Sequence, residues 1–117
     1  MKALTLEDLS REELLAWIKA SRPWRIRQVD LLSVRHTTLC AKSEAALRKW
    51  LDACSAETRA FQAWLAHGEP RERNRLELIY LNLKDEAQKA ERASKRADRE
   101  QKACWAAMEA EWSRDRE

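Results

Sequence analysis

The chain has 117 residues, 44% hydrophobic and 37% charged, with a net charge of +3, which suits one domain with a modest core and is short for two. One glycine and two prolines set a composition close to that of long helices and coiled coils, so a single all-α domain over residues 1–117 is predicted. The small net charge excludes a polycation that coats nucleic acid, and no run of about 20 apolar residues exists to span a bilayer.

The N-terminal MKALTLEDLSREELL carries acids where a secretion signal needs an apolar run. Cys40, Cys54 and Cys104 are odd in number and outside CxxC spacing, which points to neither a disulfide framework nor a zinc site. The expectation is a soluble, cytoplasmic protein with no membrane contact, metal or cofactor.

In chain order, Ser10-Arg11-Glu12-Glu13 reads as a capping box, with Leu9 and Leu14 placed as a hydrophobic staple. A short helix is predicted over about 11–20, with Leu14, Trp17 and Ile18 on one face and Leu15 beside them. Ser21-Arg22-Pro23 ends it, because the residue before proline is pushed out of the helical region.

A second helix is predicted over about 23–66 from apolar residues at Ile26, Val29, Leu32, Leu39, Leu47, Trp50, Cys54, Phe61, Trp64 and Leu65, mostly three or four apart. The alternative is a break at 37–43, where β-branched and cap-favouring residues could make Ser43 a new N-cap. Gly68, the one glycine, falls in His67-Gly68-Glu69-Pro70, and a left-handed glycine followed by proline would close one helix and open the next. The turn is placed at 67–69.

The third helix is predicted over about 70–113, with Asp85–Lys89, Glu91–Lys95 and Asp98–Lys102 each an acid four residues before its base. Folding the chain about Gly68 gives a long antiparallel, coiled-coil-like helical hairpin in which paired residue numbers sum to about 137. Phe61 then faces Leu76, and large residues repeatedly meet small ones. The same folding gathers Trp17, Trp24, Trp105 and Trp112, four of the six tryptophans, at the open end, where the short N-terminal helix is expected to pack.

Enzyme chemistry has no footing in this pattern: there is no Gly-rich phosphate loop, no Ser-His-Asp or Cys-His set with an orienting group, and no carboxylate pair set apart from solvent-facing helix positions. No catalytic residue is assigned. His36 and Cys40 share a helix face, but four-fold ligation needs two further ligands that the sequence does not supply. In general character, short, helical, tryptophan-rich and charged, the chain resembles the small accessory proteins that bacteriophages and other mobile elements encode to bind and redirect a host protein. That resemblance is one of composition and implies a non-enzymatic protein–protein interaction module.

Its interface candidates are Trp50, Phe61, Trp64, Leu78, Ile79, Tyr80 and Leu81. The run Leu76 to Leu83 is apolar on more than one face, which a two-helix contact cannot bury, so a homodimer or a protein partner is expected over Leu47, Leu51 and Leu65 as well. The competing reading is a small nucleic-acid-binding regulator. Between residues 19 and 42, Lys19, Arg22, Arg25, Arg27, Arg35 and Lys42 face Asp30 alone, and Arg22, Arg25, Arg27 and Arg35 are its candidate phosphate contacts.

Overall fold

The computed structural model describes residues 3–20 and 27–116, leaving aside the side chains of 20, 115 and 116. The fold is all-α: a hairpin of two long helices with a short N-terminal helix. A single 3-10 turn at Leu6–Asp8 precedes α1 (Arg11–Ala20), α2 (Gln28–Ala66) and α3 (Pro70–Arg116). The chain divides into two compact units, one of Met1–Lys42 with Asp98–Glu117 and the other of Ser43–Ala97.

In the first unit, local hydrogen bonds set each turn. The Thr5 amide donates to Asp8 Oδ2 at 2.9 Å. At the start of α1, the Ser10 amide donates to Glu13 Oε1 at 2.9 Å and the Glu13 amide to Ser10 Oγ at 3.2 Å, the reciprocal capping box read from the sequence. Gln28, in the first turn of α2, holds the N-terminal segment in both directions: Leu4 N donates to its Oε1 at 2.7 Å and its Nε2 to Leu4 O at 2.9 Å.

Two apolar clusters form the core of this unit. Leu9, Trp17, Leu31 and Val34 are buried together, with Leu4, Leu6 and Leu14 against them. Leu32, Cys104 and Met108 form the second, flanked by Leu4, Leu39 and Ala107. Leu31 and Leu32 are successive residues about 100° apart around one helix, so α2 serves α1 with one face and α3 with the next. Ile18 does not join the expected face of α1 and is 53% exposed. The line toward α2 passes through Glu13 and Trp17, four residues apart, which leaves Ile18 a further 100° or so around the helix.

α2 is unbroken through 37–43. Thr37 and Thr38, which could have capped a new helix, turn their hydroxyls back onto the Ser33 and Val34 carbonyls at 3.2 and 3.4 Å, so the competing polar groups are satisfied within the helix. Among the described residues α2 starts at Gln28, and the Arg27 carbonyl accepts from the Leu31 amide at 3.3 Å. The expected start at Pro23, with Trp24 and Ile26, falls outside the described residues.

The second unit has a different interior. Its buried residues are Ala87, Ala90, Ser94 and Ala97, whereas Leu47, Leu51, Phe61, Leu65, Leu78, Ile79 and Leu81 are exposed. The turn lies at 67–69 and Pro70 takes the first helical position, with the Arg73 amide donating to Glu69 O at 2.8 Å. The left-handed glycine expected there is not formed, since no described glycine has positive φ. Three non-helical residues suffice to reverse the chain without that conformation, and a Cβ added at Gly68 would meet nothing within 4 Å. Gly68 is therefore not required by backbone geometry.

Candidate protein-interaction surface

The candidate surface is in the Ser43–Ala97 unit and is built on a stacked aromatic group. Trp64 stacks on Tyr80 with ring centroids 5.6 Å apart and planes at 21°. Phe61 lies 5.2 Å from Tyr80 and 5.9 Å from Trp64, edge-on to the latter. These distances are those of favourable aromatic pairs.

The pairing rule places Leu76 opposite Phe61, yet the ring reaches Tyr80 one turn further along. Helical side chains lean toward the N-terminus of their own helix, so in an antiparallel pair two long side chains lean toward each other across about one turn. The same lean brings His36 to Trp105 at 5.3 Å. Other pairs keep the rule directly: the side-chain ends of His36 and Gln101 meet at 3.4 Å, and the Cys104 thiol lies on the Leu32 carbonyl at 3.4 Å.

Phe61 and Tyr80 line an open groove of about 370 Å³ with Cys54, Glu57 and Thr58. On α2, Leu51 is 56% and Leu65 59% exposed, and on another side of α3 Leu78 is 63% exposed. Of the seven interface candidates, the structure brings together Phe61, Trp64 and Tyr80. Trp50 is half-buried more than two turns earlier on α2. Leu78 and Leu81 are exposed but lie on another side of α3, since Leu78 is about 200° around the helix from Tyr80.

One feature of the surface is absent from the candidate set. Leu47, Leu51, Cys54, Thr58, Phe61 and Leu65 follow steps of four, three, four, three and four, forming a straight second stripe on α2. The signal was the spacing itself, masked in the sequence by the parallel series through Trp50 and Trp64 that lies one residue earlier.

The basic candidates fare differently. Arg22 and Arg25 lie outside the described residues. Arg27 bonds Asp30 through two nitrogens at 3.1 and 3.2 Å. Arg35 Nε lies 2.9 Å from Glu13 Oε2, a charge contact outside hydrogen-bond geometry, and its guanidinium also donates to the Asp8 carbonyl. Glu13 is only 4% exposed, so Arg35 neutralises a buried carboxylate. Both described guanidinium groups are engaged within the chain.

His36 lies 3.6 Å from the Cys40 sulfur, but among the described residues no three His, Cys, Asp or Glu side chains are grouped to hold a metal. Burial raises the Cys104 thiol above its ordinary pKa, which keeps it protonated and unreactive. The Glu72 carboxylate is held below its ordinary value by the hydrogen bond from Arg75. Among the described residues no helix is long and apolar enough to cross a membrane. The chain matches no protein-family model, no curated protein and no solved structure.

Proposed function

We propose that this protein is a non-enzymatic interaction module that binds another protein surface through the Ser43–Ala97 unit. The observation that carries the reading is the exposure in that unit of large apolar side chains, Leu51 at 56% and Leu65 at 59% on α2 and Leu78 at 63% on another side of α3, together with a preformed aromatic stack. Contiguous apolar surface on a folded chain marks an interface more often than not, and rigid aromatic side chains supply contact area at low entropic cost. Trp50, Phe61, Trp64, Ile79, Tyr80, Leu78 and Leu81 are its contact residues.

The reading is tested by placing glutamate at Phe61, Leu78 or Leu81 in the full chain. Helical circular dichroism and melting temperature should stay close to wild type, while association through the altered face is lost. If these substitutions unfold the chain in dilute solution, the side chains are core and the reading fails.

A further inference from the structure

We propose that the groove beside the aromatic stack of the Ser43–Ala97 unit is a guanidinium site, which takes an arginine side chain of the bound protein against the Phe61 and Tyr80 rings and the Glu57 carboxylate. The inference rests on the interaction reading above and names the chemistry of one contact within it.

The rings supply one half of the site. Phe61 and Tyr80, with centroids 5.2 Å apart and planes at 48°, both line the groove. Trp64 stacks on Tyr80 at 21° without lining the groove itself, so it holds that ring from outside. The face of an aromatic ring carries partial negative charge and attracts a cation placed within about 6 Å of its centre.

The carboxylate supplies the other half. Glu57 lines the same groove and is half-buried, yet it makes no hydrogen bond or ion pair among the described residues. Its helix neighbours three and four residues away are Ala53, Cys54, Ala60 and Phe61, so no base of α2 stands within a turn on its side. Elsewhere in the unit Glu44, Asp85 and Glu91 each have a cation four residues on in their own helix. Glu57 has already lost part of its hydration in the free chain, so a cation brought by a partner meets a charge that water only partly satisfies.

The rest of the wall does not compete. None of the lining residues is basic, and the Thr58 hydroxyl donates to the Cys54 carbonyl at 3.0 Å, which occupies the one hydroxyl proton of α2 in the groove. Rings and a lone carboxylate together select a planar cation. A guanidinium can lay its face on a ring while its edge reaches a carboxylate through two N–H groups, and it is more weakly hydrated than an ammonium, so a half-buried site suits arginine better than lysine.

A nuclear magnetic resonance titration of the isotope-labelled full chain with Nα-acetylarginine amide tests this. Signals of Glu57, Phe61 and Tyr80 should move together along one saturable curve. Nα-acetylcitrulline amide, which keeps the shape and lacks the charge, should bind at least about tenfold more weakly, and the lysine analogue should fall between the two. Glu57→Gln should weaken the arginine probe about fivefold or more, with helical circular dichroism and melting temperature as in wild type, and Phe61→Leu should weaken it similarly.

Equal affinity for the arginine and citrulline probes on the wild-type chain overturns the site whether or not the variants fold, since the groove is then an apolar recess. An arginine affinity that Glu57→Gln leaves unchanged, or probe shifts confined to acids away from Phe61 and Tyr80, overturns it too. Tighter binding of the lysine analogue overturns the choice of guanidinium. In each of these cases the interaction reading still stands or falls by the glutamate substitutions at Leu78 and Leu81. If the arginine probe binds as expected while those substitutions unfold the chain, the interaction reading falls, and with it a partner protein as the source of the guanidinium.

Discussion

The two units of this chain use the same helices and opposite packing. In the unit of Met1–Lys42 with Asp98–Glu117, large apolar side chains are inside: Leu31 is 1%, Leu32 3% and Met108 4% exposed. In the Ser43–Ala97 unit, the buried residues are alanines and a serine, while Leu47, Leu51, Leu65, Leu78 and Leu81 are exposed. Burial of apolar area stabilises at about 25 cal/mol per Å², so the first unit, with its large buried side chains, draws more on its own interior than the second. A third element explains the contrast. α1 and the N-terminal segment cover a second face of α2 with Leu9, Leu14 and Trp17, whereas in the Ser43–Ala97 unit no described element covers that face.

The largest expected effect sharpens this contrast. Leu31→Ala should cost about 3 to 4 kcal/mol, the range for a fully enclosed leucine, whereas Leu78→Ala should change stability by less than about 0.5 kcal/mol. Denaturant unfolding with amide exchange read separately in each unit checks both. Equal costs would mean that the second unit has a core of large side chains after all.

Next in size is overpacking. Ala90 is 8% exposed, and Ala90→Leu should destabilise by about 1 to 3 kcal/mol by forcing surrounding groups apart. A neutral or stabilising result in thermal melts would show space at this position and weaken the account of small residues as a close contact.

The cysteines report the same difference chemically. Cys104, buried in the first unit, has its thiol pKa raised by burial, while Cys54 in the second is half-buried. At mildly alkaline pH, Cys54 should be alkylated well before Cys104, as mass spectrometry after timed iodoacetamide treatment would show. Because the folded thiol pKa is the higher one, its contribution to stability is complete below the unfolded thiol value and is lost as pH rises through the folded value. Cys104→Ala should remove that alkaline loss. Equal alkylation rates would place Cys104 at the surface.

The smallest effect concerns the turn. Gly68 lacks a positive φ and has open space where a side-chain methyl would stand, so Gly68→Ala should stabilise the chain by about 0.4 to 1 kcal/mol by restricting the unfolded state. A loss of stability in thermal melts would restore a special backbone role to this residue.

What the sequence determined alone was local. The capping box at Ser10 and Glu13, the start of α3 at Pro70, and the ion pairs Asp85–Lys89, Glu91–Lys95 and Asp98–Lys102 at 3.2, 2.8 and 2.8 Å depend on residues within one helical turn, whose spacing is fixed by helix geometry. The hairpin followed from apolar periodicity, which carries over many turns. The tertiary structure decided whatever depends on which face meets which. Arg35 finds the buried Glu13 across 22 positions of sequence, Ile18 is left outside because Trp17 is taken inside, and Phe61 reaches past Leu76 to Tyr80 because side chains lean along their helices. Periodicity names the apolar residues of a helix, but only the number of neighbouring elements decides how many of its apolar faces are covered. That is why the exposed stripe of α2 became legible only once α1 was seen to cover one region and leave the other open.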